Sequence, residues 1–219
     1  MILEVKNLEK SFKQGNLKIE AVKNINFSLK RGQSLSIVGP SGSGKSTLLS
    51  LIAGLDSPTA GKVIVDDVDI TKLSEKDLSL YRSQKVGIVF QQFHLMPHLT
   101  AFENVSLPLE INKSENTTEE ALKILGQVGL KDRVNHLPNE LSGGEKQRVA
   151  IARAIVTKPK VLLADEPSGN LDTETGDNVM NLLFEISKVN DISLVLITHD
   201  INLSKKCDQS LSLKDGSIV

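Results

Sequence analysis

A short apolar run, Leu35–Val38, leads without a spacer into Gly39-Pro40-Ser41-Gly42-Ser43-Gly44-Lys45-Ser46, and Thr47–Leu55 then reads as helix. A strand, a glycine-rich turn of the form G-x-x-x-x-G-K-S and a helix, in that order, leave few folds open. The glycines let backbone N–H groups wrap phosphate oxygens at close approach. The helix that follows adds its positive N-terminal end. Lys45 is placed to reach the outer phosphates of a nucleotide, and the Ser46 hydroxyl can ligate Mg²⁺. The segment therefore predicts a nucleotide phosphate cradle at the carboxyl end of a buried strand.

The rest of the chain sets limits on that cradle. Its 219 residues suit one α/β domain or one domain with a subdomain. Apolar residues make up 39% and charged residues 24%, as in an ordinary globular protein. Lys and Arg total 26 against 27 Asp and Glu, a net charge of -1, which argues against binding nucleic acid by bulk electrostatics. The single cysteine, Cys207, allows no intramolecular disulfide and fits a reducing compartment. Glu4 and Lys6 stand where a secretory signal would be apolar. No apolar run approaches the roughly 18 residues of a membrane span. If the protein works at a membrane, another chain must cross it.

Along the chain, Ile2–Val5 and Ala21–Leu29 read as strands, with a turn at Arg31-Gly32. Lys62–Val65, Val86–Phe90, Val161–Ala164 and Leu194–Ile197 read as further strands. Helix starts are marked by capping-box pairs: Thr100 with Glu103, Thr117 with Glu120, and Ser142 with Glu145. Ala121, Ile124, Leu125 and Val128 line one helix face, and Val179, Leu182, Leu183 and Ile186 another. Strand–helix alternation predicts a mostly parallel sheet. The expected division is a nucleotide-binding core at 1–92 and 138–219 with a helical subdomain at 93–137.

Two further segments carry chemistry. Val161–Ala164 ends in Asp165 and Glu166, and ligands gather at the carboxyl ends of such strands. Asp165 is then placed to hold Mg²⁺ through water, and Glu166 to act as the general base that orients an attacking water. His199 closes the next strand. A lone histidine at a strand end is ordinarily structural, but here it could contact a terminal phosphate. Ser142-Gly143-Gly144-Glu145 opens a helix with two glycines in its first turn, a costly choice for helix propensity. They make sense where an anion must approach the backbone N–H groups. A second phosphate cradle suggests a composite site, with two chains as one way to build it.

Together these motifs resemble, over essentially the whole chain and in order, an ATP-binding-cassette (ABC) ATPase. Gly39–Ser46, with Thr47 behind it, is similar to Walker A; Gln91 resembles the Q-loop glutamine; Leu141–Gln147 looks like the family signature. Val161–Glu166 resembles Walker B with its catalytic glutamate, Gly169–Asp172 the D-loop, and His199 the switch histidine. Phe12 stands where the family has an aromatic residue, often tyrosine, that stacks on adenine. The resemblance implies ATP and Mg²⁺, with Glu166, His199 and Gln91 in catalysis and Ser46, Gln91 and Asp165 at the metal. It implies a head-to-tail dimer, a homodimer or paired cassette, in which each ATP lies between one chain's phosphate loop and Ser142, Gly143 and Gly144 of the other, with Glu145 and Asp172 also at the nucleotide site. It also implies an integral-membrane permease as partner and a peripheral place on the cytoplasmic face of a bacterial inner membrane.

Glu166–Asp172 together with Leu99–Val105 resembles the macrolide-efflux and lipoprotein-releasing branch, in which cassette closure moves a permease. Thr175–Leu183 resembles an uncharacterised permease-associated subgroup of it. Ser168 departs from the branch's usual threonine. A cassette regulating a non-transport membrane partner, such as a cell-division complex, is the alternative. DNA-repair or translation cassettes would need insertions for which the chain has no room. A small-molecule kinase would need lid arginines and no LSGGE. Phe93, Leu95, Met96 and Leu99 form an apolar segment that either packs the helical subdomain or offers a groove for a permease coupling helix. His94, His98 and His136 share no metal spacing with each other or with Cys207, which reads as a structural thiol. Lys113–Glu120 reads as a solvated loop and helix start.

Overall fold

In the computed structural model, which describes residues 1–15 and 17–219, alternate residues of the buried strands feed two different cores. On β7 (Val161–Asp165) and β8 (Ser193–Ile197), Leu162, Ala164, Leu194 and Leu196 enter one core. Val161, Leu163, Val195 and Ile197 enter the other. That is the period of two expected of a strand covered on both faces.

The chain begins with a hairpin, β1 (Leu3–Gln14) and β2 (Leu17–Leu29), followed by β3 (Ser34–Val38) and α1 (Lys45–Ile52). Then come β4 (Ala60–Val65), β5 (Val68–Asp69), α2 (Glu75–Lys85) and β6 (Val86–Phe90). Three helices follow: α3 (Ala101–Ile111), α4 (Thr117–Gln127) and α5 (Gly143–Ile155). After β7 the order is α6 (Thr173–Val189), β8, α7 (Ile201–Lys205), β9 (Gln209–Lys214) and β10 (Ser217–Ile218). A six-stranded sheet runs β10-β9-β3-β8-β7-β6, parallel from β9 to β6, with β10 antiparallel at the edge. An antiparallel four-stranded sheet, β2-β1-β4-β5, packs with α1 around the second core. The α/β class, the parallel sheet and the N-terminal antiparallel strands are as expected from sequence. Residues 93–137 carry α3 and α4, whose apolar faces share the first core with α5 and α6. Among the described residues no helix is long and apolar enough to cross a membrane.

The differences from expectation have local causes. The first strand runs to Gln14 rather than Val5, because register shifts between Val5 and Ser11 break the alternation that marks a strand. Only Leu78 and Tyr81 of α2 are buried, too thin a stripe to announce a helix. Thr117 and Glu120 do not form a capping box. The cap position is Asn116, with no side-chain bond, and Thr117 Oγ1 donates instead to the Ser114 carbonyl. Glu120 pairs with Lys158 at 2.8 Å, so a cross-element ion pair has taken its carboxylate. The pairs Thr100–Glu103 and Ser142–Glu145 are complete capping boxes.

Candidate active site

The loop Gly39–Gly44 leaves β3 at the carboxyl end of the parallel strands and enters α1 through Gly44, whose φ is 102°. Only glycine takes that backbone without strain. A Cβ on Gly44 would also sit 2.2 Å from the Ala21 carbonyl oxygen, so β2 presses directly on the loop. The first turn of α1 carries no acidic side chain, which leaves its positive end uncompensated. The loop, Ala21, Lys45, Ser46, Thr47, Glu166 and His199 enclose an open cavity of about 530 Å³. A separate cavity of about 400 Å³ at the opposite end of the strands, near Ser34, Lys188 and Lys206, is lined by none of the candidate site residues.

In and directly behind the first cavity the polar groups are incompletely matched. Lys45 is buried and folds back to donate to the Gly39 and Pro40 carbonyls, both at 2.9 Å. The Ser46 hydroxyl donates to Asp165 Oδ2 at 3.1 Å. Burial pushes the Asp165 carboxyl above its usual range. The Ser46 bond and the Lys45 charge oppose the shift, and the Glu166 charge adds to it. Ser43 is 3% exposed and its hydroxyl has no hydrogen-bond partner. An orphaned hydroxyl in a loop of convergent N–H groups fits an anion with several acceptor oxygens. Ser46 and Asp165 supply a hydroxyl and a carboxylate side by side, oxygen donors that suit Mg²⁺, which takes few protein ligands and keeps waters and substrate phosphates for the rest of its shell.

Glu166 begins the turn after β7 with φ 44°, an uncommon conformation for a non-glycine residue. Its N–H donates to the Ile197 carbonyl at 3.0 Å, tying it to β8. His199 Nδ1 lies 3.3 Å from Glu166 Oε2, so the turns that follow two neighbouring strands meet at the cavity mouth.

Other expected site residues lie outside this cavity. Phe12 is 42% exposed near the end of the β1–β2 hairpin, with Lys10 Nζ 4.9 Å from its ring centre. Gln91 is engaged by Asn170 rather than by Ser46 or Asp165. Asp172 caps α6 by accepting from the Thr175 N–H at 3.0 Å, which lowers its pKa.

Ser142 caps α5, and Glu145 closes the box while pairing with Arg133 at 2.9 Å. Chiefly through the Ser142 N–H, and then through Arg133, the Glu145 pKa falls to about 2. The two signature glycines have a packing role that sequence did not suggest. A Cβ on Gly144 would lie 2.5 Å from Thr175 Cγ2, and one on Gly143 would lie 3.1 Å from Leu171 Cδ2.

The combination of this cradle, the acidic strand end and a separate capped signature helix on one α/β frame is matched by known proteins. A family model described as ABC transporter matches residues 22–169. The chain belongs to the ABC transporter family.

This ABC cassette is 44% identical to an uncharacterised ABC transporter ATP-binding protein, MJ0796, of Methanocaldococcus jannaschii, over 99% of this chain and 95% of the relative. It is also 44% identical to the lipoprotein-releasing system ATP-binding protein LolD of Legionella pneumophila, over 100% and 97%. A solved dimeric MJ0796 cassette, in a post-hydrolysis state bound to ADP and Pi, superposes with a TM-score of 0.90, at 43% identity over 99% and 96% of the two chains. The cassette is an ATP-binding and ATP-hydrolysing subunit of an ABC transporter. Sequence reasoning missed the roles of Ala21 and Thr175 and, although it placed Asn170 in the D-loop, missed the pairing of Asn170 with Gln91. Backbone approach and inter-loop pairing leave no spacing motif by which to find them.

Proposed function

We propose that two copies of this cassette, or this cassette with a paired one, close around MgATP and thereby drive a membrane permease. The observation that carries the reading is the split of the motif set. The phosphate loop, Glu166 and His199 line one cavity, whereas Ser142–Glu145 lies outside it on the same chain. Gly143 and Gly144 stand in the first turn of α5, where backbone N–H groups have no intrahelical acceptor. Those donors suit the nucleotide of a second chain, and the solved MJ0796 cassettes are dimeric.

Each residue then has a task. Lys45 leaves its own loop carbonyls for the β- and γ-phosphates, and the Ser43 hydroxyl finds a phosphate oxygen as its acceptor. Ser46 and Asp165, with Gln91, would hold Mg²⁺, which supplies neutralising charge at the phosphates. Phe12 stacks its free face on adenine. Glu166 accepts a hydrogen bond from the attacking water and takes its proton as oxygen bonds the γ-phosphorus and the bond to the ADP oxygen breaks. His199, already against Glu166, holds that carboxylate and reaches the γ-phosphate. Asp172 meets the neighbouring chain's nucleotide from the cap of α6.

The permease would dock at residues 93–99. Arg153 of α5 donates to the His94 and Phe93 carbonyls at 2.6 and 3.0 Å, and buried Asn104 bonds Met96, Leu99 and Thr100. Met96 is 49% exposed, while Leu95 turns into the first core. The lipoprotein-releasing relative supports a permease of that or an export type, with the cassette peripheral on the cytoplasmic face of a bacterial inner membrane. The test is Glu166→Gln. It should keep ATP affinity, slow turnover at least ~100-fold and accumulate an ATP-bound dimer of doubled mass in light scattering. Near-normal hydrolysis would remove Glu166 from its role.

A further inference from the structure

Asn170 has no part in the reading above, yet it grips a residue that does. Its Nδ2 donates to the Gln91 carbonyl at 3.0 Å, and its Oδ1 accepts from Gln91 Nε2 at 3.2 Å. Both the main chain and the side chain of Gln91 are thus bound to one amide. Gly169 permits the approach: a Cβ there would lie 2.8 Å from Gln91 Nε2 and 3.3 Å from its Cγ. Gln91 follows β6 and Asn170 follows β7, adjacent parallel strands in which Phe90 is the register partner of Asp165. The amide group is planar, so fixing Nε2 also fixes Oε1, the atom that would ligate a hard cation. Meanwhile Ser46 and Asp165 are bonded to each other, whereas the Gln91 amide is bonded to Asn170.

We infer that Asn170 is a latch, a positioning residue that holds Gln91 off the nucleotide site until its loop moves. The inference rests on the proposed metal role of Gln91. Asn170 lies two residues before Asp172, which caps α6 and is assigned above to the neighbouring cassette's nucleotide. Arrival of the second cassette at this loop would displace Asn170 and free Gln91 in the same step. Metal-site completion is then tied to dimer closure by two hydrogen bonds.

In the latched state, nucleotide binding that needs Gln91 is weakened by the fraction of molecules that are unlatched. The full chain carrying Asn170→Ala should bind MgATP at least about fivefold more tightly, the worth of two exposed hydrogen bonds at the low end of their net range, and bind ATP in excess EDTA unchanged. Gly169→Ala should shift affinity in the same direction, because its methyl evicts the Gln91 amide while Asn170 remains. In a Gln91→Ala background, Asn170→Ala should have no effect on MgATP affinity. A structural role for Asn170 would act equally with and without Mg²⁺ and would survive loss of Gln91. Either result, or weaker MgATP binding by Asn170→Ala, overturns the latch. If Gln91→Ala alone leaves MgATP affinity and turnover unchanged, the metal role of Gln91 fails and the latch fails with it. If Gln91→Ala weakens binding but shows no coupling to Asn170, only the latch fails.

Discussion

The phosphate loop and the signature turn are both glycine-rich entries to a helix, and they are built in opposite ways. The loop before α1 has demands its own chain does not meet. Ser43 Oγ is buried without a partner, and Lys45 turns back on its own carbonyls. The turn before α5 is closely matched by its own chain: Ser142 and Glu145 satisfy each other, Arg133 neutralises the carboxylate, and Thr175 fills the space over Gly144. One is a receptor that a ligand completes. The other is a rigid, prefabricated face whose shape is set before any ligand arrives. A site assembled from both needs only one side to rearrange.

Lys45→Ala should break the receptor side outright. It removes the one lysine or arginine side chain that lines the phosphate cavity among the described residues, so ATP affinity should fall at least ~100-fold by calorimetry. Ser142→Arg should leave ATP binding by the isolated chain intact and abolish turnover by the dimer. Mixing the two inactive chains makes heterodimers with one doubly damaged site and one intact site, so part of the ATPase activity should return. Zero activity while heterodimers demonstrably form would mean either that the two regions do not share a site or that turnover needs both sites.

The rigid side should break through packing instead. Gly144→Ala places a methyl 2.5 Å from Thr175 Cγ2, an overpacking that costs about 1–3 kcal/mol. At this chain length each kcal/mol lowers the melting temperature by roughly 2–4 °C. Adding Thr175→Ser removes the opposing methyl and should restore most of the loss, while ATP affinity of the isolated chain stays unchanged throughout. If melting is unaltered by Gly144→Ala, the glycine is there for a visitor alone and the turn is not prefabricated.

Sequence announced the receptor side well, because G-x-x-x-x-G-K-S between an apolar strand and a helix is a local pattern. It announced the signature turn only in part. The capping box at Ser142 and Glu145 is local and was legible. The reason for Gly144 sits thirty-one residues away at Thr175, where no spacing rule reaches (175 − 144 = 31). The same limit hid Asn170 from Gln91, and α2, whose buried stripe is two residues wide. Thr117 and Glu120 show the converse: a local pattern was present, and Lys158 took the carboxylate first.

The smallest expected effects set two carboxylates against each other. Glu145 in the folded chain titrates at about 2 against an ordinary 4.5. A group lowered on folding stabilises the fold above its unfolded pKa, and that contribution is lost as pH falls from about 4.5 toward 2. Solvent screening and the partly exposed pair with Arg133 keep it near 1 kcal/mol. Asp165 is shifted the other way, raised by burial, so its ionised form costs stability as pH climbs through its titration. At pH 7 and without nucleotide, Glu145→Gln should therefore melt a few degrees lower than the parent chain, and Asp165→Asn slightly higher. Both differences should shrink as pH falls: between about 4.5 and 2 the unfolded chain takes up a proton at Glu145 that the folded chain resists, and the raised Asp165 carboxyl is protonated in the folded chain. A shift of the same sign in both variants at pH 7 would mean that the two helix entries are electrostatically alike, and the contrast between receptor and prefabricated face would rest on packing alone.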